Sequence, residues 1–119
     1  MSEVSELKNI TISERANEIC ELLKEDGYFH TAQQAYRAAI FLAISKELPI
    51  DTSVKMTLNK WDTAAVFRSN EQNVESAMLL HGYKSDEIVS KGKLLAEAGL
   101  RFLGEKITAN ADILSILIG

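Results

Sequence analysis

The reading turns on the stretch Leu7-Lys-Asn-Ile-Thr-Ile-Ser13 and the two helical patterns that follow it. Residues 7–13 alternate, so Ile10 and Ile12 share one face of a short strand while Asn9, Thr11 and Ser13 share the other. Ser13 then has the chemistry of a helix N-cap, with Glu14 well placed in the first turn. Ala16, Ile19, Cys20 and Leu23 follow at i, i+3, i+4 and i+7, one apolar stripe that Gly27 should terminate. Thr31-Ala-Gln-Gln34 fits a capping box that opens a second helix. Its residues Ala35, Ala39, Leu42 and Ala43 make a buried face, and Tyr36, Ile40, Phe41 and Ile44 widen it nearly all round, up to Pro49. A single short strand cannot stand alone, and no second strong strand signal lies nearby.

Further along, Ser53 to Leu58 is a weak extended run, and Trp61 is expected to anchor that loop to the core. Asp62 is a candidate cap for a short helix carrying Val66 and Phe67. Asn70 is a candidate cap for another, carrying Val74, Ala77 and Met78 and ended by Gly82. Ser85 opens the last long helix, with apolar positions at Ile88, Leu95, Phe102 and Leu103. Gly92, Gly99 and Gly104 lie inside it, each costing about 1 kcal/mol against alanine. Close helix–helix approach offsets such a cost, either within the chain or, as the preferred reading, at a seam between chains. The tail Ile113-Leu-Ser-Ile-Leu-Ile118 is too apolar to hang in water, so it packs back or lies on a partner.

The whole chain has 119 residues, 46% of them hydrophobic and 25% charged, which is globular material. The longest apolar run, Ala38 to Ile44, falls far short of the roughly 20 residues a membrane helix needs. A polar, acidic start and one cysteine suit a reducing cytoplasm. With two histidines and one cysteine, neither a metal site nor a cofactor is expected. His30 and His81 read as surface or cap residues and Cys20 as a buried inert thiol. Glu71, Glu75, Asp86 and Glu87 read as solvated or dipole-matching acids, and Lys91, Lys93, Arg101 and Lys106 as solubility charges. No nucleophile with an orienting group is visible, so the chain is read as not an enzyme. The net charge of −4 argues against broad nucleic-acid binding but leaves room for a small, specific contact.

In this order, strand, helix, turn and helix over Leu7 to Lys46 resemble a ribbon–helix–helix motif of the antitoxin and repressor type. Gly27, the hydroxyl cap Thr31 and Arg37-Ala38-Ala39 fall where that family has its glycine, cap and Arg-Ala-Ala helix. The resemblance implies an all-α fold with a short N-terminal strand. Residues 1–49 would be the ribbon–helix–helix-like segment and 50–119 a helical extension packed on it. It also implies a homodimer or higher oligomer whose paired strands enter the major groove of duplex DNA. Asn9, Thr11 and Ser13 would read bases, Thr31 would clamp a phosphate, and Lys8 would add positive potential. The interface would take in Ile10, Ile12, Ala39, Ile40, Gly92 and Gly99. Three features depart from the family pattern. The outward strand positions hold no Arg or Lys; the first helix is acidic at Glu14, Glu18, Glu21 and Glu25; and the rest of the chain is long and helical.

Phe29-x-Thr31, Ala38 to Ala43, Trp61, Phe67 and Lys93-Leu-Leu-Ala-Glu-Ala-Gly-Leu100 also look like small helical proteins of bacterial DNA phosphorothioation (sulfur modification) systems. That likeness implies an accessory to DNA modification or phage defence. The competing expectation is a non-catalytic scaffold that docks a partner protein and does not bind DNA.

Overall fold

A computed structural model describes residues 9–118. Lys8 and the start of the expected strand lie outside the described residues. The elements are β1 (Asn9–Ile12), α1 (Glu14–Glu25), α2 (Ala32–Ser45), β2 (Leu58–Asp62), α3 (Thr63–Phe67), α4 (Val74–Leu80), a 3-10 turn (Ser85–Glu87), α5 (Ile88–Thr108) and α6 (Ile113–Ile118). The fold is mainly helical with a minor β component. Among the described residues no helix is long and apolar enough to cross a membrane.

β1 alternates as its sequence demands, with Ile10 and Ile12 fully buried and Asn9 exposed. Its partner, however, is in the same chain. β2 runs antiparallel to it, pairing Asn9 with Asp62, Ile10 with Trp61, Thr11 with Asn59 and Ile12 with Leu58. Lys60 is the extra residue of a bulge opposite the Ile10–Thr11 step. The lone strand is thus satisfied without a second chain. The extended run expected at Ser53–Leu58 lies instead at Leu58–Asp62. Its Asn, Lys and Asp are weak strand formers, and the bulge breaks the period of two that would have marked it.

The caps of the first two helices are as the sequence implies. The Ser13 side chain accepts from the Ala16 amide, and Thr31 and Gln34 close a reciprocal capping box. The cap of α4 is Asn73 rather than Asn70, with its Oδ1 accepting from the Ser76 amide at 2.9 Å. Ser85 begins a separate 3-10 turn, so the long helix itself starts at Ile88. Helices α1, α2, α4 and α5 end alike. The residue after each C-cap has positive φ: Gly27 (84°), Glu47 (51°), Gly82 (96°) and Asn110 (57°). The next amide reaches back five residues, as in Tyr28 N to Leu23 O and Leu48 N to Ala43 O, both at 3.0 Å.

α5 packs most extensively on α2 and also touches α1 and β1. The contacts expected at a seam between chains are made here within the one chain. Ile10, Ile12, Ala39, Ile40, Gly92 and Gly99 are all buried within the one chain. Gly99 lies on the Ala39 backbone of α2, Gly92 faces the Phe67 ring, and Gly104 faces Ile19 of α1. The expected division at residue 49 is bridged by the β1–β2 pairing and by the α2–α5 contact. The apolar tail packs back, with Ile113 buried and Ile116 and Leu117 resting on the core.

A Cβ at residue 99 would collide with the Ala39 carbonyl, and that backbone cannot swing aside. Gly99→Ala should therefore destabilise the fold by about 3 kcal/mol, despite alanine's better helix propensity. Urea unfolding measures this, and a neutral or stabilising result would refute the close packing.

Candidate nucleic-acid interface

Lys93, Glu97 and Arg101 recur every four residues along α5 and so share one side of it. The packing of α5 sets that side against the end of β1 and the start of α1. The Lys93 ammonium donates to Thr11 Oγ1 at 3.2 Å. One turn on, the Glu97 carboxylate accepts from the Ser13 amide at 2.9 Å and from the Ser13 hydroxyl at 2.6 Å. The same hydroxyl accepts from the Ala16 amide at 3.1 Å, so Ser13 both caps α1 and ties it to α5. Glu97 is only 6% exposed, and the two donors compensate the burial of its charge.

A cleft of about 230 Å³ opens over Ser13 and Glu97; its wall is largely apolar, with Ala16, Ile19 and Val54, and Arg15, Lys55 and Arg101 also line it. With Lys93, four cations therefore stand around the Thr11–Ser13 end of the strand. Two of them hold only loose partners: Arg15 lies 3.7 Å from Glu18 and Arg101 lies 3.8 Å from Asp51. The Ser53 hydroxyl and amide hold the Asp51 carboxyl below its usual range, and Arg101 adds to this. Exposed pairs of this kind are worth about 0–1 kcal/mol, so an incoming anion can replace the carboxylate cheaply.

Beneath this surface lie two buried acidic groups. Burial pushes the Cys20 thiol up to about 12; Lys60 opposes the shift while Glu21 and Glu97 add to it. Tyr36 is driven well above its ordinary value by burial, with Glu97 and Cys20 contributing, and its buried hydroxyl makes no hydrogen bond. The Trp61 ring meets Tyr36 edge-on at 5.2 Å, which is the anchoring expected of it.

Of the residues expected to contact DNA, Thr11 and Ser13 lie in this cluster. Asn9 is exposed one step along the ribbon, opposite Asp62. Thr31 belongs to a different group, where the Glu71 carboxylate reaches Gln34 Nε2 at 3.3 Å and the Arg37 guanidinium at 3.2 Å. That acid already faces the helix start at which a phosphate was expected. Glu71 and Glu75 are thus paired rather than simply solvated, Glu75 with Arg68 at 3.1 Å. Sequence reasoning missed Lys93, Glu97, Arg101, Lys55 and Arg15. The 93–97–101 spacing is the signal in the sequence for the first three, and Lys91 and Lys106, which fall off that line, obscure it.

Among the described residues no group of three or more His, Cys, Asp or Glu is placed to hold a metal ion. No known protein family, curated protein or solved structure matches the chain.

Glu97→Ala leaves two Ser13 donors without their acceptor and should cost about 3 kcal/mol, against about 1 kcal/mol for Ser13→Ala. Because the two residues share one interaction, the double variant should cost clearly less than the sum. Additive losses in urea unfolding would refute the tie. Cys20 supplies a pH test. A thiol whose folded value lies above its unfolded one favours folding below the unfolded value and loses that contribution as pH rises. Stability should then fall between pH about 9 and 12, with about 1.4 kcal/mol per pH unit from this group. Cys20→Ala should flatten that limb when urea midpoints at pH 8 and pH 10 are compared, and an unchanged slope would contradict it.

Proposed function

We propose that this chain is a non-catalytic DNA-associated protein, a regulator or an accessory to a bacterial DNA-modification or defence operon. It would grip duplex DNA along the Thr11–Ser13 end of the ribbon and the adjoining side of α5. The supporting observation is the Lys93 ammonium seated on the Thr11 hydroxyl, with Arg15, Lys55 and Arg101 lining the neighbouring cleft over Ser13 and Glu97. The outward strand positions hold no cation of their own, and this arrangement brings positive charge to them from three other parts of the chain. The likeness of residues 7–46 to ribbon–helix–helix proteins, and of Lys93 to Leu100 to DNA phosphorothioation proteins, favours the same reading.

In this reading the contact is mostly to phosphates. Lys93, Lys55, Arg101 and Arg15 are flexible donors suited to backbone oxygens, and Thr11 and Asn9 are the side chains able to reach base edges. The ribbon is complete within one chain, so one copy carries a whole contact. The overall charge of −4 confines binding to this face and keeps it weak unless salt is low.

Fluorescence anisotropy with a labelled mixed-sequence duplex at low salt tests the proposal. Binding should weaken as salt rises, with a log–log slope of about −3 for three to four phosphate contacts. Lys93→Ala should lower affinity several-fold and remove about one unit of that slope, while Lys84→Ala, at the unrelated 3-10 turn, should not. Failure to bind, or equal effects of the two variants, would overturn this reading.

A further inference from the structure

We infer that the groove between α1 and α5 is a docking surface for a basic amphipathic helix of a partner protein. The groove has a volume of about 460 Å³. Its floor is apolar, made by Ile19 and Leu22 of α1 and Ile107 of α5. Leu22 is 38% exposed, an apolar side chain left facing solvent in the middle of a helix. The absence of a side chain at Gly104 lets Ile19 lie close and opens the space beside it.

The rim decides what can enter. Glu18, Glu21 and Glu25 stand along it, with Arg15 as its one cation. Arg15 answers Glu18, and Lys60 reaches Glu21 from the β2 bulge at 3.1 Å. Counting Lys60, three carboxylates meet two cations, so the rim keeps a net negative charge, carried at its Glu25 end. The surface therefore offers negative charge beside an apolar strip. Nucleic acid is repelled by such a rim, and an acidic peptide equally so. The complement is an apolar stripe flanked by Lys or Arg. Length agrees with a helix: the twelve residues of α1 span about 18 Å, which matches about three turns of a partner lying alongside.

This docking does not rest on DNA binding. The two surfaces are neighbours, since Arg15 lines both, but the residues tested below belong to the groove alone.

The probe is a fluorescein-labelled peptide of about four turns with Leu at i, i+3, i+4 and i+7 and Lys between them. Its control is the same peptide with Glu in place of Lys. The Lys peptide should bind the intact chain, more weakly as salt rises, and the Glu peptide should not. Glu25→Lys and Leu22→Gln should each weaken binding about tenfold, by charge reversal and by loss of the apolar strip. Asp86→Lys, the same charge change at the distant 3-10 turn, should leave it within about twofold. All three positions are solvent-exposed, and circular dichroism checks that each variant is folded. No binding of the Lys peptide, equal binding of the Glu peptide, or equal loss in Asp86→Lys and Glu25→Lys would each overturn the inference.

Discussion

α5 can lie on α2 only because residue 99 has no side chain to hold the Ala39 carbonyl away. That contact sets the height of the long helix above the rest of the core. Gly92 takes the Phe67 ring and Gly104 takes Ile19, so the three glycines mark three places where α5 is approached closely. Their combined propensity cost of about 3 kcal/mol is of the size that burying one or two large side chains offsets. Leu95, Leu100 and Leu103, with Ile88 and Val89, supply more than that number of buried side chains on the same helix.

With α5 at that height, Glu97 meets the start of α1 and Lys93 meets β1. A nearly buried carboxylate is expensive unless its oxygens are filled, and Ser13 fills them with an amide and a hydroxyl. Residue 13 is also where strand becomes helix. The tie therefore orients β1 as well as α1, and it leaves β1 lying where β2 can pair with it. Arg37 acts comparably on the other side of α2. Its side chain is 3% exposed, held by Gln33 at 2.6 Å and Glu71 at 3.2 Å. Within the Arg-Ala-Ala pattern of the ribbon–helix–helix likeness, this arginine works as an internal brace for the segment between α3 and α4.

What could be read in the sequence was the local chemistry. Ser13, Thr31 and Gln34 cap helices through contacts within four residues, and Gly27 and Gly82 end them the same way, so no knowledge of the fold is needed. β2 was hidden because Lys60 bulges out of it and its polar residues do not alternate. Asn70 and Asn73 are equally good caps in isolation, and only the burial of Val74 and Met78 chooses between them. The glycines of α5 have the same spacing whether the surface they meet belongs to this chain or another. The strand has the same alternation whether its partner is β2 or a second copy. Both choices are tertiary, and for both the structure makes the contact inside one chain. The Thr11–Lys93 and Ser13–Glu97 contacts span more than eighty residues, and only the lysine–glutamate–arginine spacing hinted at them.

The remaining question is how an acidic chain presents a cationic cleft. Net charge acts at long range, where salt screens it within about 10 Å. Contacts of 3–4 Å respond to the neighbouring groups instead. At the cleft those neighbours are weakly engaged: Glu18 and Asp51 sit at 3.7 and 3.8 Å from their arginines, beyond good hydrogen-bond distance. The one carboxylate at its centre, Glu97, is already occupied by Ser13 and turned into the protein. In the α1–α5 groove the balance reverses, because the acids outnumber the lining cation and the floor is apolar. A single helix, α1, thus starts beside a cationic cleft and continues along an acidic groove. Arg15 stands at the boundary, paired with Glu18 one turn away. Arg15 lines both surfaces and its neighbouring carboxylate, Glu18, lies on the groove side, so the local charge of each surface depends on where that one side chain lies.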